Sequence, residues 1–463
     1  MPNRSGQGNV GLIAVVFFGS MLMVLMFLGI PLATSLAIIA GCAIFLLAIF
    51  NTDLALIILI FSMLLSPEFT QGSAAGRSVK VRADDIFIMI IFCGWLAKMA
   101  INKEMGLIRQ TRLNTPVILY VVICLFASFL GIVAGRTNVK SAFFFLIKYI
   151  EYFLLFFMVA NNLKTVKQAK KFVFFLILTC LFVCIYSTGQ VAAGGRPSAP
   201  FESGAGGEPN TFAGYLILMM SLMAAFIIYP PSFKQRVALI GLLCVAAVSF
   251  LMTLSRSGWI SAFPAVGTFI LATKKYRFQL VILVVVVAMA LPIIAPKQVQ
   301  LRVQETFTPW KEYNVGAKRI GVDESTAHRI DSWKVGINRW MYKPIFGYGI
   351  PAGAVIDNQY TRVLNESGII GFSVFIWMLI TLFQVIRECY VNAGDNYFNK
   401  AMGLGLMAGF MGILLLNFAA SAFILIRIME PFWFLVAIVV TMPELEGESS
   451  PAPSTQIETP GAV

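Results

Sequence analysis

Between positions 329 and 371 the chain sets out Arg329-Ile-Asp-Ser-Trp333, Lys343-Pro-Ile-Phe-Gly-Tyr-Gly349, Asp357-Asn-Gln-Tyr360 and Asn365-Glu-Ser-Gly-Ile-Ile-Gly371. Guanidinium, carboxylate and carboxamide groups at that density can hold an anion and position or accept a proton. The rest of the chain is a different material. It is 59% hydrophobic and 12% charged, with a mean hydropathy of +0.83. A soluble domain carries about 25% charged residues, so this is a polytopic membrane protein with its chemistry held just outside the hydrocarbon.

The elements that must position these groups are transmembrane helices. A helix needs roughly 20 apolar residues to cross about 30 Å of hydrocarbon. By that measure the fold is all-α with about 14 transmembrane helices. The short span at 53–66 and the nearly loop-free junctions around 31 and 255 leave about 12 or 13 as alternatives. Residues 1–294 form an N-terminal transmembrane region of about 11 spans. A large outer loop covers 295–365, C-terminal helices follow at 366–441, and 442–463 is a disordered tail. Within the loop, Val303 to Tyr313 and His328 to Met341 read as short amphipathic helices. The first span, near 9–29, has no convincing cleavage site and reads as an uncleaved anchor. Gly405, Gly409 and Gly412 have the spacing of helix packing.

Lysine and arginine cluster in the loops near 98–115, 162–171, 230–236 and 272–278. With about 14 spans these loops share one side, which the positive-inside rule makes cytoplasmic. Both termini are then cytoplasmic and the 295–365 loop faces out. Several cations remain on the outer side against that rule, among them Arg82, Arg196, Arg256, Arg329 and Arg339. An anionic substrate reaching the outer face would account for them, and arginine suits a diphosphate because its planar fork donates bidentately. Arg256 is the sharpest case, since Leu254-Ser-Arg-Ser-Gly-Trp259 leaves no room for a loop. Lys148 and Glu151 are three residues apart in one span and read as a pair on one helix face.

Several chemistries are excluded. No phosphate-loop motif is present, so ATP is not expected. The one histidine, His328, rules out a metal site built on several histidines; no metal and no cofactor are expected. The seven cysteines lie in spans or at a span end and read as apolar packing. The net charge of +13 is spread over thin loops, which suits a bilayer and not nucleic acid.

Arg329 and Trp333, then Pro344, Gly347 and Gly349, then Asp357 and Asn358, then Glu366, Gly368 and Gly371 resemble in order and spacing the O-antigen ligase/polymerase superfamily. Ser255-Arg256 and Pro209-Asn210 extend the resemblance upstream. It implies a GT-C-like glycosyltransferase of the bacterial inner membrane, metal-independent and active at the periplasmic face. Undecaprenyl-diphosphate-linked oligosaccharide would be both donor and acceptor. A chain-length regulator and a flippase would work nearby. Ligases of the superfamily usually carry histidine where this chain has Asp357, which turns the expectation toward polymerisation. Ligation to a lipid or protein acceptor, and flipping of lipid-linked oligosaccharide, are the alternatives.

On that reading Arg329, Arg256, Arg196, Arg339 and Arg82 would hold the diphosphate. Asp357, with Glu366 second, would position or deprotonate the acceptor hydroxyl; the alternative for Asp357 is to pair with an arginine and orient it. Asn210, Asn358 and Tyr360 would meet sugar hydroxyls.

Overall fold

The computed structural model describes residues 19–28, 31–74, 77–103, 108–202, 208–315, 318–353 and 356–447. The expected first span at 9–29 lies mostly outside them, as do residues 448–463 of the expected tail. The described elements begin with α1 (Leu32–Phe50), α2 (Thr52–Leu65), a hairpin of β1 (Glu68–Ala74) and β2 (Arg77–Arg82), and α3 (Ala83–Ile101). Then come α4 (Asn114–Val133), α5 (Val139–Asn162), α6 (Val166–Ala192), α7 (Pro209–Ile228), α8 (Phe233–Met252), α9 (Arg256–Ala272) and α10 (Arg277–Ile294). The polar segment holds α11 (Lys297–Glu305), a second hairpin of β3 (Lys311–Val315) and β4 (Lys318–Val322), and α12 (Glu324–Tyr342). Helices α13 (Gln359–Val391), α14 (Tyr397–Leu416) and α15 (Ile426–Gly447) close the chain.

The protein is an all-α polytopic membrane protein. Among the described residues nine helices are long and apolar enough to cross a membrane: α4 to α8, α10 and α13 to α15. Helix α2, with 14 residues, falls short of that length. Helix α9 has 17 residues, and α3 carries Asp84, Asp85 and Lys98.

By its contacts the chain divides into two units, residues 1–59 with 84–107 and residues 60–83 with 108–463. In the first, a Cβ on Gly94 would lie 2.7 Å from that of Ala48, so glycine lets α3 and α1 touch. Lys98 Nζ donates to Thr52 Oγ1 at 3.0 Å.

In the second unit α15 is the buried centre. Trp433 packs against Phe153, Phe156 and Tyr152 of α5 with ring centroids 4.9, 5.6 and 6.3 Å apart. Helix α14 packs on α7 through its glycines: a Cβ on Gly405 would sit 2.8 Å from Leu222 Cα, and one on Gly412 would sit 2.6 Å from Ile217 Cγ2. Between membrane helices, where lipid is as apolar as leucine, such close approach is what holds neighbours together.

Three local expectations change. Val303 to Tyr313 is not one helix. Helix α11 stops at Glu305, and Pro309, which has no N–H to donate, precedes β3. Lys311 then pairs with Val322 and Val315 with Lys318 in an antiparallel hairpin. Helix α13 begins at Gln359, seven residues before the expected start at 366, because Asn358 caps it. At the other end, residues 442–447 are not tail but the last turns of α15, with Leu445 buried.

Candidate active site

The glycine motifs build the scaffold. Helix α13 is kinked at Gly368, whose φ of 66° and ψ of −166° break the helical path. Only glycine adopts that region readily. The 343–349 turn fills the break: Ile369 N donates to Pro344 O at 2.8 Å, Tyr348 N to Asn365 O at 2.8 Å and Gly349 N to Glu366 O at 2.9 Å. Backbone groups freed by the kink thus find partners in the turn, as buried amides must. Gly347, at φ +69°, brings its Cα against the carbonyls of Asn365 and Glu366.

Beside this junction lies a cavity of about 750 Å³. Its wall carries the cations Arg82, Lys148, Arg329 and Arg427, the carboxylates Glu68, Glu202, Glu208 and Asp357, and also Asn210 and His328. They come from six stretches of the second unit: the ends of the β1–β2 hairpin, α5, the loop before α7 with that helix's first turn, α12, the turn before α13 and the start of α15.

The cations differ in how they are held. Arg427 is buried and ion-paired, 3.2 Å from Glu68 and 3.8 Å from Glu202. It also donates to the carbonyls of Leu64 at 3.2 Å and Pro200 at 2.8 Å. Arg82 donates to the Met63 carbonyl and, at 3.5 Å, to Ser66 Oγ. Arg329 makes no hydrogen bond and no ion pair among the described residues, although it lines the cavity. Burial lowers its pKa, and the nearby charge of Asp357 opposes that drift. A guanidinium so placed has its donors available for an anion.

Glu202 stands out among the carboxylates. Burial raises its pKa to about 7, against a hydrogen bond from the Glu208 N–H and the Arg427 charge.

Of the residues the sequence pointed to, Asp357, Arg329, Arg82 and Asn210 meet at this cavity. The others lie off its wall, held by partners of their own. Arg256 pairs with Asp323 at 2.5 Å. Asp323 caps α12, accepting from Thr326 N at 3.3 Å and Thr326 Oγ1 at 2.7 Å. Burial pushes the Asp323 carboxyl up, but the Thr326 hydrogen bonds and Arg256 outweigh it and hold it below its ordinary value. Arg196 donates to Thr253 O at 3.2 and 2.8 Å, closing the carbonyl end of α8, where a cation is favoured by the helix dipole. Arg339 donates to Ala352 O and lies 4.7 Å over the Tyr348 ring. Asn358 caps α13 through Thr361 N at 2.9 Å and donates to Phe418 O at 3.2 Å. Tyr360 donates to Leu414 O at 2.8 Å. Glu366 is buried and accepts from Arg362 at 2.9 Å and Tyr149 at 2.8 Å.

Asn210 has a second contact. Its Oδ1 accepts from Ser255 Oγ at 2.6 Å, and Ser255 Oγ accepts from Gly258 N to cap α9. The Pro-Asn and Ser-Arg corners are therefore one joint. Replacing Asn358 with alanine is expected to cost about 1 kcal/mol through the lost cap, read as a lower thermal midpoint in detergent.

Sequence reasoning did not single out Glu68, Glu202 or Arg427. Each is a lone charge beside an apolar or Gly-Pro-rich stretch. The signal available was that a buried ion at a span boundary needs a partner.

Fold and site together define a multi-pass helical membrane protein with a charged cavity. Residues 245–376, which run from α8 through the Ser-Arg corner and the polar segment into α13, match the family model for O-antigen ligase, and this match supports membership of the O-antigen ligase/polymerase superfamily. The match supports a function of the O-antigen ligase/polymerase type, that of a glycosyltransferase-like enzyme with lipid-linked glycan substrates. No curated protein matches the chain.

Proposed function

We propose that the protein is a bacterial polysaccharide polymerase. It transfers a glycan from undecaprenyl diphosphate to the non-reducing-end hydroxyl of another lipid-linked repeat unit, without a metal. The site faces the periplasm, with the 295–365 segment on that side and both termini in the cytoplasm of an inner-membrane protein. The observation that carries this reading is Arg329, a cavity-lining guanidinium with no partner among the described residues and with Asp357 beside it.

The division of labour follows from charge. The leaving diphosphate gains negative charge as the anomeric bond breaks, and a fixed cation stabilises it most at that moment. Arg329 supplies that cation, with Arg82 and Lys148 on the same wall. The charge of Asp357 favours the ionised form of Arg329. Asn210 meets sugar hydroxyls. Arg256 works at one remove: by pairing with the Asp323 cap it fixes the start of α12, which carries Arg329. Arg256→Ala is expected to lower the rate by up to about 10²-fold, the cost of a displacement of about 1 Å. Arg256→Lys keeps the ion pair and should recover most of it. Equal losses in both variants would argue that Arg256 touches substrate.

The test uses purified protein in nanodiscs with undecaprenyl-diphosphate-linked repeat units and no nucleotide. A ladder of lengthened product supports the polymerase. The O-antigen ligase description of the matching family favours the second reading, transfer to a different acceptor. A single transfer to a lipid A core or protein acceptor, with no ladder, would establish that instead.

A further inference from the structure

We propose that Glu202 receives the proton of the acceptor sugar hydroxyl, as a second carboxylate of the site whose task is separate from that of Asp357. The inference rests on the polymerase reading above.

The placement of Glu202 carries it. The residue lines the same cavity as Arg329, Asp357 and Asn210, and its side chain is only 3% exposed. Its two oxygens are held differently. Oε2 accepts the Glu208 N–H at 2.6 Å, which orients the group. Oε1 accepts no hydrogen bond among the described residues; the nearest cation is Arg427 Nε at 3.8 Å. Such an oxygen is open to a hydroxyl donor.

The surroundings poise the group. Arg427 favours the ionised form, but that guanidinium is shared with Glu68 at 3.2 Å and with two backbone carbonyls. Glu208 from the start of α7 and Glu68 from β1 push the other way. The same wall carries Arg82, Lys148, His328, Arg329 and Asp357. Burial dominates and places the carboxyl at about 7, the range in which a base is both available and strong enough. Asp357 has a different neighbour. Its charge acts on Arg329 and favours the ionised guanidinium.

The step balances without a further reactant. The acceptor O–H proton passes to Glu202 Oε1. The freed oxygen lone pair bonds to the anomeric carbon of the donor. The bond from that carbon to the diphosphate oxygen breaks, and its electron pair leaves with the diphosphate, facing Arg329. Water then takes the proton from Glu202.

The experiment measures initial ladder formation between about pH 5.5 and 8.5 for wild type, Glu202→Gln and Asp357→Asn, each also assayed for binding of undecaprenyl diphosphate alone. Wild-type kcat/KM should rise with pH through about 7, because only ionised Glu202 accepts the proton. Glu202→Gln should be slower by about 10²-fold, lose that limb and bind undecaprenyl diphosphate as wild type does. Asp357→Asn should keep the limb. Wild-type rates in Glu202→Gln, or a limb that persists there and vanishes in Asp357→Asn, would overturn the proposal. If Glu202→Gln loses undecaprenyl diphosphate binding, the wild-type profile decides: a limb near neutrality supports the proposal and a flat profile sinks it. A wild type that makes no ladder at any pH defeats the polymerase reading itself, and the inference falls with it.

Discussion

Replacing Arg329 with alanine is expected to cut ladder formation by about 10³-fold, the upper end of what one preorganised charge-stabilising donor contributes, or about 4 kcal/mol of barrier. The size of the effect follows from what the other cations are doing. Arg427 is paired with Glu68, and Arg256 with Asp323. Arg329 is the guanidinium on the cavity wall with donors uncommitted among the described residues. Its loss therefore removes charge from the leaving group without leaving a carboxylate unpaired at short range. Arg329→Lys keeps the charge but loses the fork, so most of the activity should still go if the diphosphate is bound bidentately. The comparison with Arg256→Lys is decisive. Wild-type rates in both lysine variants would end the bidentate model, whereas loss in the Arg329 variant alone locates the diphosphate at α12.

Gly368→Ala is expected to prevent accumulation of a well-folded protein. A Cβ at this position would lie 2.1 Å from the Ile345 carbonyl oxygen and 2.3 Å from its carbon. Both are backbone atoms of the turn that plugs the kink, so no rotamer change relieves the clash. The conformation itself costs a non-glycine residue on the order of 3 kcal/mol, before the contact with the turn is counted. Native proteins are stable by only about 5–15 kcal/mol. The measurement is the yield of monodisperse protein in detergent and its thermal midpoint. Gly135→Ala is the comparison: φ is +68°, but nothing lies within 4 Å of the added carbon, so only the backbone term of about 1 kcal/mol applies. If the two variants melted alike, the interlock of turn and kink would not be what stabilises this end of α13.

These two glycines also show how the sequence and the structure divide the information. Pro344, Gly347, Gly349, Gly368 and Gly371 were readable as a motif next to functional residues. That the motif is a backbone joint was not readable, because the hydrogen bonds from Tyr348 and Gly349 to Asn365 and Glu366 depend on a turn folding back on a helix. Glu366 is the same case. Its spacing beside the glycines suggested chemistry, and the fold buries it with Arg362 and Tyr149. The arginines expected on the outer side behaved likewise. Their presence against the positive-inside trend was visible in the chain, but Arg196 and Arg256 are satisfied by a carbonyl and a carboxylate far along it.

The sequence by itself determined the helices and the membrane character, because burying about 20 apolar residues in hydrocarbon is a local property of each span. It also marked Arg329, Asp357, Arg82 and Asn210, since charge and amide groups beside spans are conspicuous against an apolar background. Only the tertiary structure decided which charges are spent on holding the protein together and which face an open cavity. Arg427 reaches Glu68 across 359 positions and Glu202 from another loop. Such pairings are set by how helices pack, and no local spacing encodes them.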